Sequence, residues 1–152
     1  MVKWHSIEMI EHSAHSTPNV TAHADMPNGA LVGLTYTASS KVTKAPATGN
    51  DLYVVINTQT GDDEYATNYP IKQGEYVNLF KLSEWVGKEL DVTEDNVTGT
   101  YSSISVGDTL TFDATTFKFK KAAATAGDVK FTVMSKGGMS VNYMTVLIGI
   151  AS

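Results

Sequence analysis

The sequence predicts an all-β fold, mainly antiparallel, with a compact barrel- or sandwich-like body, one short helix and an extended N-terminal arm. β-branched and aromatic residues are frequent, with nineteen Thr and fifteen Val among 152 residues, and these residue types favour strands. Glycine-containing turns separate short runs in which apolar and polar residues alternate, as in half-buried strands. A chain of this length buries enough surface for one core. We therefore predict an arm over residues 1–28 and a single β-rich domain over residues 29–152.

The predicted arm differs from the rest of the chain in composition. Ile7, Met9 and Ile10 are spaced as one face of a short helix, but the residues that follow are small and polar and are interrupted by Pro18 and Pro27. Such a segment has too little apolar surface to offset the entropy lost on folding. It is therefore predicted to be extended or partly helical, and its few apolar residues are candidates for contact with a partner.

Turn residues divide the predicted domain into strands. After Asn28-Gly29 the run ALVGLTYTA is a short strand, and DLYVVINT is another, which ends before the acidic turn GDDE. Between these strands, SSKVTKAPATGND is predicted to be a loop or a weak edge strand, because lysines and proline discourage pairing at an edge. GDDE lacks the ladder of oxygen ligands of a calcium-binding loop, so a solvated turn is the preferred interpretation.

The segment YPIKQGEYVNLFKLSEWVGKELDV, residues 69–92, contains the one predicted helix. Ser83 is predicted to be its N-cap, and Gly87 can adopt the left-handed conformation that ends a helix. A helix this short is unstable in water, so its apolar side must be docked, and we expect it to close an open end of the body. A core position for the Trp is preferred to the alternative, stacking on a ligand. The apolar side consists of Leu82, Trp85 and Val86.

A first hairpin is predicted in SVGDTLTFDATTFKFKK. Leu110 and Phe112 alternate with polar residues before a tight return that begins at Asp113, and Phe117 and Phe119 alternate with lysines after it. One face of this hairpin is expected to be buried and the other to be in water.

A second hairpin is predicted in VKFTVMSKGGMSVNYMTVLIGI. Gly137-Gly138 is a two-residue loop of the kind that tight hairpins favour. If Lys136 pairs with Met139, then Val133 lies opposite Asn142 on an apolar face. The other face is mixed and is a candidate for contact with a partner. Its apolar members are Met134, Val141 and Tyr143.

Composition argues against several functions. The chain has no Cys, which excludes disulfides, thiolate metal sites and cysteine catalysis. All eleven basic residues are Lys, and the net charge is −5, so nucleic-acid binding is not expected. The longest apolar-rich run, YMTVLIGIA, is too short to span a bilayer as a helix, and no membrane partner is predicted.

Motifs of known enzyme classes are absent as well. The sequence contains no nucleophile elbow, zinc-protease helix, P-loop or dinucleotide fingerprint, so we expect neither enzymatic activity nor a cofactor. Carboxylates are plentiful, and their number alone does not exclude a glycosidase-like pair. The four histidines share no spacing with a tetrahedral zinc site, and solvated or partner-contacting imidazoles are preferred to a metal site. These histidines are His5, His12, His15 and His23.

Four segments carry a resemblance to a known class of proteins: NGALVGL, DLYVVINT, residues 69–92 and SVGDTLTF. They resemble small structural proteins encoded near the major capsid protein of tailed bacteriophages, in the auxiliary, decoration or head-fibre-base class. The resemblance covers roughly residues 28–121 and leaves out the last hairpin and the histidine-bearing arm. It implies a virion protein, made in the host cytoplasm, that binds the major capsid protein on the capsid exterior and stabilises the shell or anchors an appendage. It carries no catalytic residue over to this chain.

The partner-binding residues are predicted from both ends of the chain. An arm that becomes ordered on binding covers a wide surface at an entropic cost. We also expect a homo-oligomer, with a trimer as one option. The alternative function is a carbohydrate-binding β-module for attachment to a host cell surface, in which Trp4, Trp85 and exposed Tyr would stack on sugars. The predicted partner-binding residues are Trp4, Ile7, Met9 and Ile10 in the arm and Met134, Val141 and Tyr143 in the last hairpin.

Overall fold

A computed structural model of the protein describes residues 2–4, 17–57, 70–138 and 140–152. In these ranges the fold is all-β and mainly antiparallel, which confirms the predicted class. It consists of a closed five-stranded barrel, a six-stranded sheet and a two-stranded ribbon. None of the helices in these ranges has the length and apolar character that are needed to cross a bilayer.

Just under half of the described residues lie in strands, which we number in chain order. The strands are β1 (Val2–Trp4), β2 (Thr17–Thr21), β3 (Met26–Pro27), β4 (Leu31–Tyr36), β5 (Lys41–Lys44), β6 (Tyr53–Val55), β7 (Pro70–Ile71), β8 (Tyr76–Lys81), β9 (Glu89–Thr93), β10 (Thr109–Phe112), β11 (Phe119–Lys121), β12 (Val129–Gly137) and β13 (Tyr143–Ile150). Where the sequence predicts one short helix, the described ranges include the 3-10 helices Leu82–Trp85, Glu94–Asn96 and Tyr101–Ser103.

The barrel has the strand order β2-β5-β4-β6-β8 and closes because β8 also pairs with β2. β2 and β5 are parallel, and the other neighbouring pairs are antiparallel. The segment SSKVTKAPATGND supplies β5, so the prediction of a loop or weak edge strand is wrong there. Lys44 stays exposed while Thr43 is buried, so the strand keeps a lysine in solvent while its backbone pairs with β2 and β4.

The six-stranded sheet has the order β1-β9-β13-β12-β10-β11, and its neighbouring strands are antiparallel. The first predicted hairpin forms β10 and β11, with Phe112 opposite Phe119. At its return the Asp113 carboxylate accepts the backbone N–H groups of Thr115 and Thr116, at 2.9 and 3.3 Å. These bonds, led by the one from Thr115, hold the pKa of Asp113 below its usual value.

Alternating side chains fill two hydrophobic cores. In β4 and β6, Val32 and Val55 point into the barrel, whereas their neighbours Leu31 and Val54 pack in the core that the barrel shares with the six-stranded sheet. Strands that are buried on both faces have continuous apolar sequences, as in LYVVI. The barrel is therefore one layer of the domain and the sheet is the other.

Gly29 marks a close approach between the two layers, where β1 passes the loop after β3. A Cβ at Gly29 would lie 2.5 Å from Cγ2 of Val2 and 2.9 Å from Nδ2 of Asn96, and the backbone has a φ of +94°. We expect Gly29→Ala to lower the free energy of unfolding by about 2–4 kcal/mol, from overpacking and from the left-handed backbone together. Gly74→Ala is the matched control, because Gly74 also has a positive φ (+87°) and no neighbour within 4 Å of such a Cβ.

Urea denaturation of the two variants checks this prediction. Gly74→Ala should show the backbone cost alone, about 1–2 kcal/mol. Equal losses in the two variants would mean that Val2 does not pack against Gly29, and the docking of β1 would then be in doubt.

The segment with the predicted helix connects the two layers. β8 belongs to the barrel and β9 to the six-stranded sheet, and the 3-10 helix Leu82–Trp85 lies between them. Trp85 is 7% exposed and packs edge-on against Phe80, with the ring centroids 6.4 Å apart. The predicted core position of Trp85 is confirmed, and the helix joins the barrel to the sheet.

Two details of the predicted helix are wrong. The helix begins after Lys81 and has no side-chain cap, so Ser83 is not its N-cap. Val86 is 48% exposed and does not share the apolar side. A 3-10 helix has three residues per turn, so Leu82 and Trp85 lie on one face and Val86 is rotated away from it.

The described part of the predicted arm belongs to the body. Residues 2–4 form β1 and pair with β9, and residues 17–21 form β2 inside the closed barrel. Val20 and Ala22 are buried in the barrel core. For these residues the prediction of an arm up to residue 28 is wrong, because pairing holds strands that have few apolar residues of their own, β1 on one edge and β2 on both. Residue 1 and residues 5–16 of the predicted arm lie outside the described residues.

The second predicted hairpin forms with a different register. Gly137 lies opposite Tyr143 and Val133 opposite Val146, so the predicted pairings of Lys136 and Val133 are wrong. The register shifts at a bulge between Val133 and Ser135, which inserts one residue into β12. β13 also pairs with β9 on its other edge, and this third strand constrains the register in a way that the turn sequence does not.

Candidate partner-binding surface

The end of the β12–β13 hairpin is tied to the rest of the domain on both flanks. The backbone N–H of Glu94 donates to the carbonyl of Asn142 at 3.0 Å, and Nδ2 of Asn142 donates to Oε2 of Glu94 at 3.0 Å. On the other flank, the N–H of Gly107 donates to the carbonyl of Val133 at 2.8 Å. The side chains at this end are therefore presented on a fixed backbone.

The phenol end of Tyr143 lies close to a glycine of the neighbouring strand. A Cβ at Gly137 would be 3.0 to 3.3 Å from Oη, Cζ and Cε1 of Tyr143, so a side chain at position 137 would displace this ring. The phenol Oη of Tyr101 donates to the carbonyl of Tyr143 at 2.6 Å. Tyr143 is 40% exposed, so part of its side chain is open to solvent.

The positive charge nearest to this ring is turned inward. Nζ of Lys136 lies 4.1 Å from the centroid of the Tyr101 ring and donates to the carbonyls of Tyr101 and Ile104, at 3.0 and 2.5 Å. Burial raises the pKa of the Tyr101 phenol, and the nearby charge of Glu94 raises it further. The Lys136 ammonium is thus engaged by carbonyl groups, and the Glu94 carboxylate bonds to Asn142 at the end of the hairpin.

Four exposed apolar side chains surround this end of the hairpin, and we call them the hairpin-end surface. The sequence predicted three of them as partner-binding residues, and the structure places those three at one end of the same hairpin. The fourth, Val106, was not predicted, because it precedes a Gly-Asp turn in which no alternation indicates the direction of a side chain. The hairpin-end surface consists of Val106 (61% exposed), Met134 (46%), Val141 (39%) and Tyr143 (40%).

The other residues that the sequence predicted to contact a partner or a ligand do not belong to the hairpin-end surface. The backbone of Trp4 pairs with Leu90 at the edge of the sheet, whereas Ile7, Met9 and Ile10 lie outside the described residues. Contact between the arm and a partner therefore stays a prediction. Trp85, the alternative ligand-stacking residue, is buried and does not reach the surface.

One of the four histidines, His23, lies within the described residues. His23 follows β2, and its Nδ1 lies 2.6 Å from Oγ1 of Thr43. His5, His12 and His15 lie outside the described residues. Within the ranges that the structure describes, no group of three His, Cys, Asp or Glu side chains is arranged to hold a metal ion.

In comparisons with known proteins, no protein-family model and no curated protein sequence matches this chain. The hairpin-end surface combines exposed apolar side chains with one carboxylate, that of Glu94, which bonds to Asn142 at the hairpin end.

Proposed function

We propose that the protein is a structural virion component that binds the exterior of a tailed-phage capsid as a decoration or auxiliary head protein. In this role it stabilises the shell or anchors an appendage, and its partner is the major capsid protein. The observation that carries the proposal is the hairpin-end surface, whose apolar side chains are exposed at fixed positions. Grouped apolar residues at a surface mark interaction sites, and Tyr and Met are enriched in interface cores.

The segments that resemble phage head proteins form the scaffold for this surface. NGALVGL and DLYVVINT contain β4 and β6 of the barrel, residues 69–92 contain β7 to β9, and SVGDTLTF contains β10. The β12–β13 hairpin lies outside the resemblance, yet it is fixed in the sheet between β9 and β10. A common scaffold that carries its own docking hairpin suits a protein that must match one particular capsid.

Polar substitutions in the hairpin-end surface should release the protein from the capsid. We expect Met134→Asp combined with Val141→Asp to weaken binding to empty capsids of the source phage by about a hundredfold, since two carboxylates would be buried at an apolar contact. Both residues are exposed in the free protein, so its stability should change little. Val86→Asp is the matched control, because Val86 is equally exposed but lies on the segment between β8 and β9. Co-sedimentation with the capsids measures the bound fraction.

Salt distinguishes apolar docking from electrostatic docking. Attraction between charges is screened over about 8 Å at physiological salt and about 3 Å at 1 M, whereas apolar burial is not screened. Raising the salt concentration from about 0.1 to about 1 M should therefore leave the unmodified protein on the capsid. Release by salt alone, with the double Asp variant still bound, would contradict the proposal.

The second candidate function is a carbohydrate-binding module, which the 40% exposure of the Tyr143 side chain favours. Tyr36 and Tyr76 are exposed as well, at 65% and 73%, and each presents a ring to solvent. Glycan-array binding that Tyr143→Ala abolishes, together with no binding to empty capsids, would support this function over capsid decoration.

A further inference from the structure

We propose that His23, Thr43 and Phe117 form an acid-sensitive joint between the barrel and the six-stranded sheet. His23 follows β2 and Thr43 lies in β5, so both belong to the barrel, whereas Phe117 belongs to the turn between β10 and β11 of the sheet. The imidazole packs against the Phe117 ring with the centroids 5.3 Å apart and the planes at 74°. The ring of His23 therefore contacts both layers of the domain.

Phe117 is held in a conformation that needs support from its neighbours. Its φ is 62°, in the left-handed region that residues with a Cβ rarely adopt. Its N–H donates to the carbonyl of Asp113 at 2.9 Å, and its carbonyl accepts the N–H of Leu31 at 2.8 Å. Its ring packs against the barrel core. Because Leu31 lies in β4, this hydrogen bond and this ring contact connect the sheet to the barrel.

The contacts at Thr43 are compatible with the neutral form of His23. Oγ1 of Thr43 accepts the backbone N–H of His23 at 3.0 Å and lies 2.6 Å from Nδ1 of the ring. In the proposed joint the hydroxyl donates its one proton to Nδ1. The imidazole then carries its own proton on Nε2.

Protonation of the ring disturbs this arrangement. Nδ1 of an imidazolium is a donor, so the Thr43 hydroxyl would have to turn its proton away from the ring. Thr43 is 2% exposed, and water is a poor replacement acceptor at such a position. Acid should therefore loosen the contact between His23 and Thr43 and, with it, the support for Phe117.

Several charged groups lie near this joint on the elements that the structure describes. The Asp25 carboxylate accepts the N–H of Gln73 at 2.9 Å and pairs with Lys72 at 3.3 Å. The Asp113 carboxylate accepts backbone N–H groups of its own turn, and Lys44, next to Thr43, is exposed. Burial lowers the pKa of His23, in agreement with a ring that is kept neutral.

The direction of the pH effect follows from this lowered pKa. Between the folded and unfolded pKa values the unfolded chain binds more protons, so stability rises with pH. The contribution of His23 is fully present above the unfolded value of about 6.5 and is lost as the pH falls from there through the folded pKa. Carboxylates, with usual pKa values near 4, stay ionised if measurements are kept above about pH 5.

A variant in which His23 is the sole histidine tests the proposal directly. His5→Gln, His12→Gln and His15→Gln together leave His23 alone, and NMR of its ring nitrogens should show the neutral Nε2–H form at about pH 7.5, with titration below about 6.5. The amide of Leu31, which bonds to Phe117, should exchange about tenfold faster at pH 5 than at pH 7.5 after correction for intrinsic rates. In full-length protein carrying only His23→Gln, the exchange rate of the Leu31 amide should differ by less than about twofold between pH 5 and pH 7.5.

Two substitutions at Thr43 keep the test decisive if His23→Gln does not fold. Thr43→Ser retains the hydroxyl and should retain the acid response at Leu31, whereas Thr43→Val removes the hydroxyl and should abolish it. An Nδ1–H tautomer at neutral pH would overturn the proposal. An acid response at Leu31 that persists in His23→Gln or in Thr43→Val would overturn it as well.

Discussion

Replacing Trp85 by Ala is expected to lower the free energy of unfolding by about 3–5 kcal/mol, the range for a buried large aromatic side chain. Trp85 is 7% exposed, and its ring meets that of Phe80 edge-to-face at 68°. It lies where the chain passes from the barrel to the sheet, and the N–H of Gly87 is bonded there to the carbonyl of Ile148 at 2.9 Å. A cavity between two fixed layers cannot collapse, so the loss should not be recovered by repacking. Urea denaturation measures it.

Val86→Ala is the control for Trp85→Ala, since it truncates the next side chain along the chain. Val86 is 48% exposed, and surface substitutions usually change stability by less than about 0.5 kcal/mol. A loss below about 1 kcal/mol for Trp85→Ala, well under the range for buried aromatics, would contradict the core position. It would also restore Trp85 as a residue that can stack on a ligand.

Deleting residues 1–24 is expected to abolish the cooperative unfolding transition of the domain. The deletion removes β2, without which β5 and β8 lose their shared neighbour and the barrel cannot close. It also removes Val20 and Ala22 from the barrel core, and β1 from the edge of the sheet. Thermal melts followed by circular dichroism compare the truncated and full-length proteins.

Two point substitutions test whether residues 17–21 form an integral barrel strand or part of a dispensable arm. Val20→Asp places a carboxylate at a position that is 0% exposed, and an unpaired buried charge should cost about 4 kcal/mol or more. Thr21→Asp makes the same change one residue later, on a half-buried side chain, and should cost about 1 kcal/mol. A protein without residues 1–24 that melts as cooperatively as the full chain would show that these residues form an arm, and the barrel would have to close without β2.

Binding and stability can be varied separately in this protein. The hairpin-end surface consists of exposed side chains, whereas Trp85 and Val20 are buried in the two cores. Loss of capsid binding in a hairpin-end variant with an unchanged melt would therefore report on the interface itself. Loss of binding in a Trp85 or Val20 variant would report only on folding.

Local patterns in the sequence determined the types of the main elements and the side chains that most of them bury. The apolar face predicted for the last hairpin includes Phe131, Val133 and Met144, and all three are buried. This prediction holds although the predicted register is wrong, because a strand alternates faces with a period of two whichever partner it has. The exposure of Tyr143 next to the buried Met144 follows from the same alternation, so part of the candidate surface could be predicted.

Only the tertiary structure decided which strands become neighbours and in which register. Tyr143 lies opposite Gly137 on one side and Thr93 on the other, a pairing that the turn sequence does not contain. Val20 is buried because β5 and β8 flank it, and Val106 belongs to the hairpin-end surface because its turn bonds to β12. In each case the deciding contact joins residues far apart in the chain, and composition or periodicity reports only on residues close together in sequence.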